Sequence, residues 1–204
     1  MASQERLYRV NDIFYSLQGE GRNTGRAAVF VRFAGCNLRC SFCDTEFDSY
    51  REMTGEEIVE EMSRYEVRGA RCEDSFRQLV ILTGGEPTLQ VDEAFVDLLH
   101  QHGYEVAIES NGTRLAPSNI DWLTVSPKEG ARCQVTRCQE LKLVFTDEKS
   151  VDNRGIEAEY YYLQPCDTGD AERNKAILHA CIDYIQKHPQ WRLSLQTHKL
   201  IDIK

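Results

Sequence analysis

Cys36, Cys40 and Cys43 stand in the run Cys36-Asn-Leu-Arg-Cys40-Ser-Phe-Cys43, a C-x3-C-x2-C spacing that follows an apolar segment. A four-iron cluster needs four outer ligands, which Cys thiolates supply in closed electron-transfer centres. Three thiolates leave one iron open to a small molecule, and that suits an enzyme better than an electron wire. Structural zinc asks for a second Cys or His pair at short spacing. The nearest further thiol is Cys72, and no other C-x2-C or H-x3-H pair is present. A closed cluster asks for a fourth Cys, often followed by Pro, whereas Cys166 follows Pro165. A disulfide framework would leave one thiol of so crowded a trio over. Zinc, a closed cluster and structural thiols therefore stand as the weaker readings.

Four polar segments could line a ligand cavity near such a centre. Thr83-Gly84-Gly85-Glu86-Pro87 follows an apolar run, and its paired glycines let backbone approach a ligand closely. Glu86 would offer a carboxylate to an amine. Glu109-Ser110-Asn111-Gly112 could hold sugar hydroxyls, and Ser126-Pro127-Lys128 offers a hydroxyl and an ammonium suited to a carboxylate. Gln164-Pro165-Cys166-Asp167 is the fourth. Each alone reads equally as an ordinary polar turn. All four in succession read as a lined cavity.

The elements that must position these groups alternate between strand-like and helical runs, the signature of βα units. Strands are expected at Ala28–Phe33, Leu79–Thr83, Val106–Ser110, Leu123–Ser126, Leu141–Phe145, Tyr160–Gln164 and Leu193–Gln196. One helix starts at Thr54 with Glu57 three residues on, a capping-box pattern. Another runs from Asp92 to about His102 with Gly103 as its stop, burying Phe95, Leu98 and Leu99 on one face. A third covers roughly Ala171 to Lys187. The simplest architecture is an α/β fold, an abbreviated parallel (β/α) partial TIM barrel of about six strands, with residues 1–204 as a single domain. Parallel barrels place their chemistry at the C-terminal strand ends, where the polar segments fall.

With 204 residues, 41% hydrophobic and 28% charged, the chain can bury one sizeable core. Lys and Arg total 24 against 33 Asp and Glu, a net charge of −9 that argues against a nucleic-acid or anionic-membrane surface. Met1 to Val10 hold no apolar signal-peptide core, and Ala27 to Val31 fall far short of the ~20 residues of a membrane span. Eight cysteines then read as reduced thiols in a cytoplasmic protein. Outside the trio, Cys72, Cys133, Cys138, Cys166 and Cys181 read as packing or exposed thiols.

The trio, Phe42 before its last Cys, and Gly84-Gly85-Glu86-Pro87 resemble the radical S-adenosylmethionine superfamily. The resemblance implies a radical SAM core whose [4Fe–4S] cluster, held by Cys36, Cys40 and Cys43, binds the amino and carboxylate groups of S-adenosylmethionine at its open iron. Reduction would cleave the sulfonium to a 5′-deoxyadenosyl radical that takes hydrogen from substrate. The protein's share is to orient the cofactors and exclude competing reactions.

A narrower likeness spans nearly the whole chain. Phe14 to Gly21, Arg32 to Cys36, Cys43-Asp44-Thr45, Thr83 to Pro87, Ser126 to Lys128 and Trp191 to Lys199 are similar to the 7-carboxy-7-deazaguanine synthase family. Val135 to Glu159 carry no distinctive motif. Some members have a longer first cysteine spacing; this chain has the short one. The resemblance implies a lyase that converts 6-carboxy-5,6,7,8-tetrahydropterin to 7-carboxy-7-deazaguanine and ammonia for queuosine and other deazapurines. It also implies a homodimer that uses Mg2+ and takes electrons from flavodoxin or ferredoxin. By the same resemblance Leu17, Gln18, Gly19, Arg32 and Thr83 contact the pterin, Arg32 meeting its carboxylate, and Thr45 ligates Mg2+. Phe42, Gly85, Ser126, Pro127, Lys128, Gln164, Pro165, Cys166 and Asp167 line the S-adenosylmethionine pocket, with Glu86 near the methionyl amine. The main-chain carboxylate of Lys204 accepts from the amino-pyrimidine edge of the pterin. Glu20 and His198 support or touch the substrate, although a late-strand His is as often a hydrogen-bonded structural residue. The rivals are a glycyl-radical enzyme activase, an iron–sulfur electron carrier and a zinc-binding interaction module.

Overall fold

A computed structural model describes residues 6–40, 43, 49–65 and 77–204. Nine strands form one sheet among them: β1 (Leu7–Leu17), β2 (Ala27–Phe33), β3 (Arg51–Thr54), β4 (Gln78–Gly84), β5 (Tyr104–Ser110), β6 (Trp122–Val125), β7 (Arg137–Phe145), β8 (Glu157–Pro165) and β9 (Trp191–Leu193). Their spatial order is β3-β1-β2-β4-β5-β6-β7-β8-β9. From β2 to β9 the pairing is parallel, while β1 is antiparallel to β2 and β3. The expected partial barrel is thus present with seven parallel strands and an antiparallel N-terminal extension. β1 and β3 were not expected, and a register shift between Val10 and Asp12 shows why β1 is hard to read. The irregularity flips the inward face, so the period-2 pattern breaks mid-strand. The last strand also differs, since pairing stops at Leu193 and Thr197 begins a short helix, freeing Ser194 and Gln196 for side-chain contacts.

Helices cover the outer face. In α1 (Gly55–Ser63) the Thr54 hydroxyl accepts from the Glu57 amide while the Glu57 carboxylate accepts from the Thr54 amide, the expected capping box. Asp92 caps α2 (Glu93–Gln101), and Asp170 caps α3 (Ala171–Lys187). Ile58, Met62, Phe95, Leu99, Ile177 and Cys181 pack against the outward residues of the sheet to form the main core. A second apolar layer lies inside the barrel, where Phe14, Ala28, Phe30, Leu79, Ile81 and Ala107 meet Trp122. Above this layer, toward the C-terminal strand ends, the inward residues turn polar.

The two ends of the sheet are tied together. The Thr197 amide and hydroxyl donate to the Gly19 carbonyl at 3.0 and 2.9 Å, and the Gly21 amide donates to Ser194 Oγ at 3.0 Å. The hairpin loop after β1 is thereby pinned to the segment after β9, and both reach the polar interior.

Candidate active site

Construction of the site begins where β2 ends. Gly35, at φ 84°, turns the chain toward Cys36, and the end of β4 packs on that turn. Gly85 donates to the Phe33 carbonyl and Glu86 to the Gly35 carbonyl, each at 2.9 Å. A Cβ on Gly85 would lie 2.0 Å from the Gly35 carbonyl oxygen, so only glycine permits the approach. The glycine pair was expected to admit a ligand; in the structure it first admits the base of the cysteine loop. Cys36, Cys40 and Cys43 all face one cavity. Burial pushes the Cys36 thiol up, and the Glu86, Cys40 and Cys43 charges add to this against the Leu38 amide. A bound cation replacing the thiol protons would offset that cost. Among the described residues no three Cys, His, Asp or Glu side chains close on one metal-ion position.

The cavity, about 590 Å³, is of ordinary size for small-molecule sites, which run roughly 300–1,000 Å³. Gly85, Ser126, Lys128, Gln164, Pro165, Cys166 and Asp167 line it as expected positions. Lys128 Nζ donates to Ser126 Oγ at 2.7 Å, and burial pushes the ammonium down. Asp167 accepts from the Gly169 amide, Asn174 and Lys199, which hold its carboxyl at about 2. Two expected positions lie off the lining. Pro127 is not among the lining residues. Glu86, expected at an amine, is fully buried behind the wall. Its carboxylate accepts from Thr88 N (3.0 Å), Thr88 Oγ1 (2.6 Å), Ser110 Oγ (2.9 Å) and Asn111 N (2.7 Å), clamping the ends of β4 and β5 together. Phe42 and Thr45 lie outside the described residues.

Leu17, Gln18, Gly19, Arg32, Thr83 and Lys204 share the same cavity. Gln18 Nε2 donates to Glu109 Oε1 at 2.9 Å, and Thr83 Oγ1 donates to Glu109 Oε2 at 3.3 Å. The Arg32 guanidinium lies 5.5 Å from the Phe14 ring centre, and its Nε is buried without a hydrogen-bond partner. A buried guanidinium N–H without a partner, on a residue that lines the cavity, suits an anion as ligand. The Lys204 ammonium pairs with Asp12, and its main-chain oxygen accepts from Ser16 Oγ. His198 packs so closely on Gly19 that a Cβ there would lie 2.2 Å from its Nδ1.

The floor of the cavity holds a charge cluster in which Lys142 and Glu140, not singled out in the sequence, join Glu20 and Glu109. Lys142 pairs with Glu20 and lies 3.7 Å from Glu109, with 7% of its side chain exposed. Gln164 and Gln196 each donate to Glu20 Oε1 at 3.1 Å. Burial raises the Glu20 carboxyl, but the Lys142 charge and the hydrogen bonds from Lys142 and Gln196 outweigh it and hold the group at about 2. Burial pushes Glu140 up to about 7 despite Lys142 and the Arg22 amide. A signal was available in Glu140-Leu-Lys-Leu-Val-Phe. Central parallel strands buried on both faces read as continuous apolar runs, so two charges alternating with leucines mark a polar interior stripe.

Comparison with known proteins followed the same line. The radical SAM superfamily matches residues 30–132. A 7-carboxy-7-deazaguanine synthase of Bacteroides thetaiotaomicron is 48% identical over 97% of this chain and 100% of its own length. One from Bradyrhizobium diazoefficiens is 42% identical over 97% and 99%. The crystal structure of QueE from Escherichia coli superposes with a TM-score of 0.66 at 24% identity, covering 93% of each chain, a likeness of fold.

Proposed function

The chain belongs to the 7-carboxy-7-deazaguanine synthase family of the radical SAM superfamily, and on that premise we propose that it converts 6-carboxy-5,6,7,8-tetrahydropterin to 7-carboxy-7-deazaguanine and ammonia. The observation that carries this reading is that the cysteine trio and Arg32 line one cavity. Cys36, Cys40 and Cys43 hold the [4Fe–4S] cluster. When bound, the cluster and S-adenosylmethionine supply one-electron cleavage of the sulfonium and hydrogen abstraction from substrate.

The chain's own residues divide the cavity. Ser126 and Lys128 offer donors to a carboxylate, while Gly85, Phe42 and Gln164 to Asp167 complete the S-adenosylmethionine side. Arg32 takes the pterin carboxylate with its planar fork. Leu17 to Gly19, Thr83 and Lys204 fix the ring system. Glu86 acts from behind the wall, through the donors it gathers after β4 and at the end of β5, and buried Pro127 supports the pocket beside Ser126. Thr45 contributes a Mg2+ ligand, since Mg2+ takes few protein oxygens and keeps waters or substrate atoms. The family resemblance supports a homodimer reduced by flavodoxin or ferredoxin. Reduced thiols support a cytoplasmic setting, and no described helix is long and apolar enough to cross a membrane. The glycyl-radical activase and electron-carrier alternatives find no support in the synthase relatives.

Replacing Cys36, Cys40 and Cys43 together with Ala tests the cluster assignment. After anaerobic reconstitution the variant should lose cluster absorbance and reductive S-adenosylmethionine cleavage while remaining folded by circular dichroism. Cleavage retained by that variant would refute it.

A further inference from the structure

Lys142 projects from β7 into a floor where carboxylates outnumber ammonium groups. Glu20 reaches it from the hairpin loop, Glu109 from β5 and Glu140 from β7 itself. Lys128, beyond β6, adds a repelling charge, and His198 acts on Glu20 from the C-terminal segment. Glu20 is further fixed by Gln164 and Gln196, and Glu109 by Gln18 and Thr83. Two of these partners, Gln18 and Thr83, are residues assigned above to the pterin. The ammonium thus sits at the hub of a network whose outer members face the substrate.

We infer that Lys142 is a positioning residue for substrate: its buried ammonium pairs with Glu20 and draws in Glu109, which in turn holds Gln18 and Thr83. The inference rests on the pterin reading for the identity of the ligand, and on cavity geometry alone for the charge cluster. Without its counter-ion the Glu20 carboxylate would hold its proton to higher pH. Protonated, it would lose its hold on Lys142 and present an O–H donor toward the amides of Gln164 and Gln196, loosening the floor on which Glu109, Gln18 and Thr83 rest. Glu140 is the member that responds to pH in the intact cluster, because burial pushes its carboxyl up to about 7.

The test uses reconstituted protein and the fluorescence of pterin-6-carboxylate as a binding probe, across pH 5 to 8. Lys142→Met should weaken probe binding about tenfold or more near pH 6 and move the acid limb of the binding profile upward. Lys142→Arg, which keeps the charge, should restore the position of that limb. Cluster absorbance reports whether the other half of the cavity is intact. A uniform loss at every pH with the limb unmoved would make Lys142 a packing residue and overturn the inference, as would binding equal to wild type. If Lys142→Met does not fold, the double variant Glu20→Gln/Lys142→Met removes a matched pair instead. Wild-type affinity in that variant would overturn the inference equally. If the wild type binds no probe, the pterin reading fails by itself, and melting temperature decides the cluster. Lys142→Met should then fall progressively further below wild type as pH rises from 5 to 8, whereas a constant offset would contradict the inference.

Discussion

Arg32 can be argued in two ways, as a strand anchor paired with an acid or as a ligand for an anion. Its position favours the second, because its Nε is buried without a partner and its guanidinium rests on Phe14 rather than on a carboxylate. Lys keeps the charge but lacks the planar fork. Arg32→Lys should therefore raise the dissociation constant for pterin-6-carboxylate about tenfold, the cost of roughly one charge-assisted hydrogen bond, and move the melting temperature little. An anchoring arginine would show the reverse. The cysteine trio was legible in the sequence because its chemistry depends on residue type and spacing, whereas Arg32 was singled out only by the family resemblance. The role of Glu86 was not legible: its carboxylate looked available, and only the fold reveals that four donors from two strand ends consume it. Lys142 escaped notice because its importance comes from partners far away in sequence, Glu20 above all.

Among the elements, α1 and α2 could be placed from their caps, since Thr54 and Asp92 satisfy local amides within three residues, and the structure adds Asp170 as the cap of α3. The parallel strands were legible from apolar runs. β1 was obscured by the irregularity at Asn11, and β3 by its brevity. The union of β2 and β4 beneath the cysteine loop was half legible. Paired glycines announced a close approach, and the fold identifies the approaching group as the Gly35 carbonyl. That contact makes Gly85→Ala a test of how the loop is held. The added methyl must displace backbone one residue before Cys36, at a cost of about 2–3 kcal/mol. Lower melting temperature together with reduced iron content after reconstitution is expected. Full iron loading in a destabilised Gly85→Ala protein would show that the loop is held by other contacts.

For the molecule as a whole, the buried charge cluster sets a pH dependence whose sign can be worked out. Glu20 is held at about 2, below the ordinary 4.5, so its stabilisation is complete above pH 4.5 and is lost as pH falls toward 2. Glu140 is raised from 4.5 to about 7. The folded protein retains that proton while the unfolded chain has lost it, so stability declines as pH rises from 4.5 to 7. Each shift corresponds to about 3 kcal/mol, and this pair alone places maximum stability near pH 4.5 to 5. Glu140→Gln should flatten the decline in melting temperature between pH 5 and 7, and an unchanged slope would locate the titrating group elsewhere. The activity itself is decided by one measurement. Reconstituted protein is incubated anaerobically with S-adenosylmethionine, a reductant, Mg2+ and 6-carboxy-5,6,7,8-tetrahydropterin, and the product is read by ultraviolet absorbance and mass. Formation of 7-carboxy-7-deazaguanine with release of ammonia is the expected result; cleavage of S-adenosylmethionine with the pterin left unconsumed would contradict it.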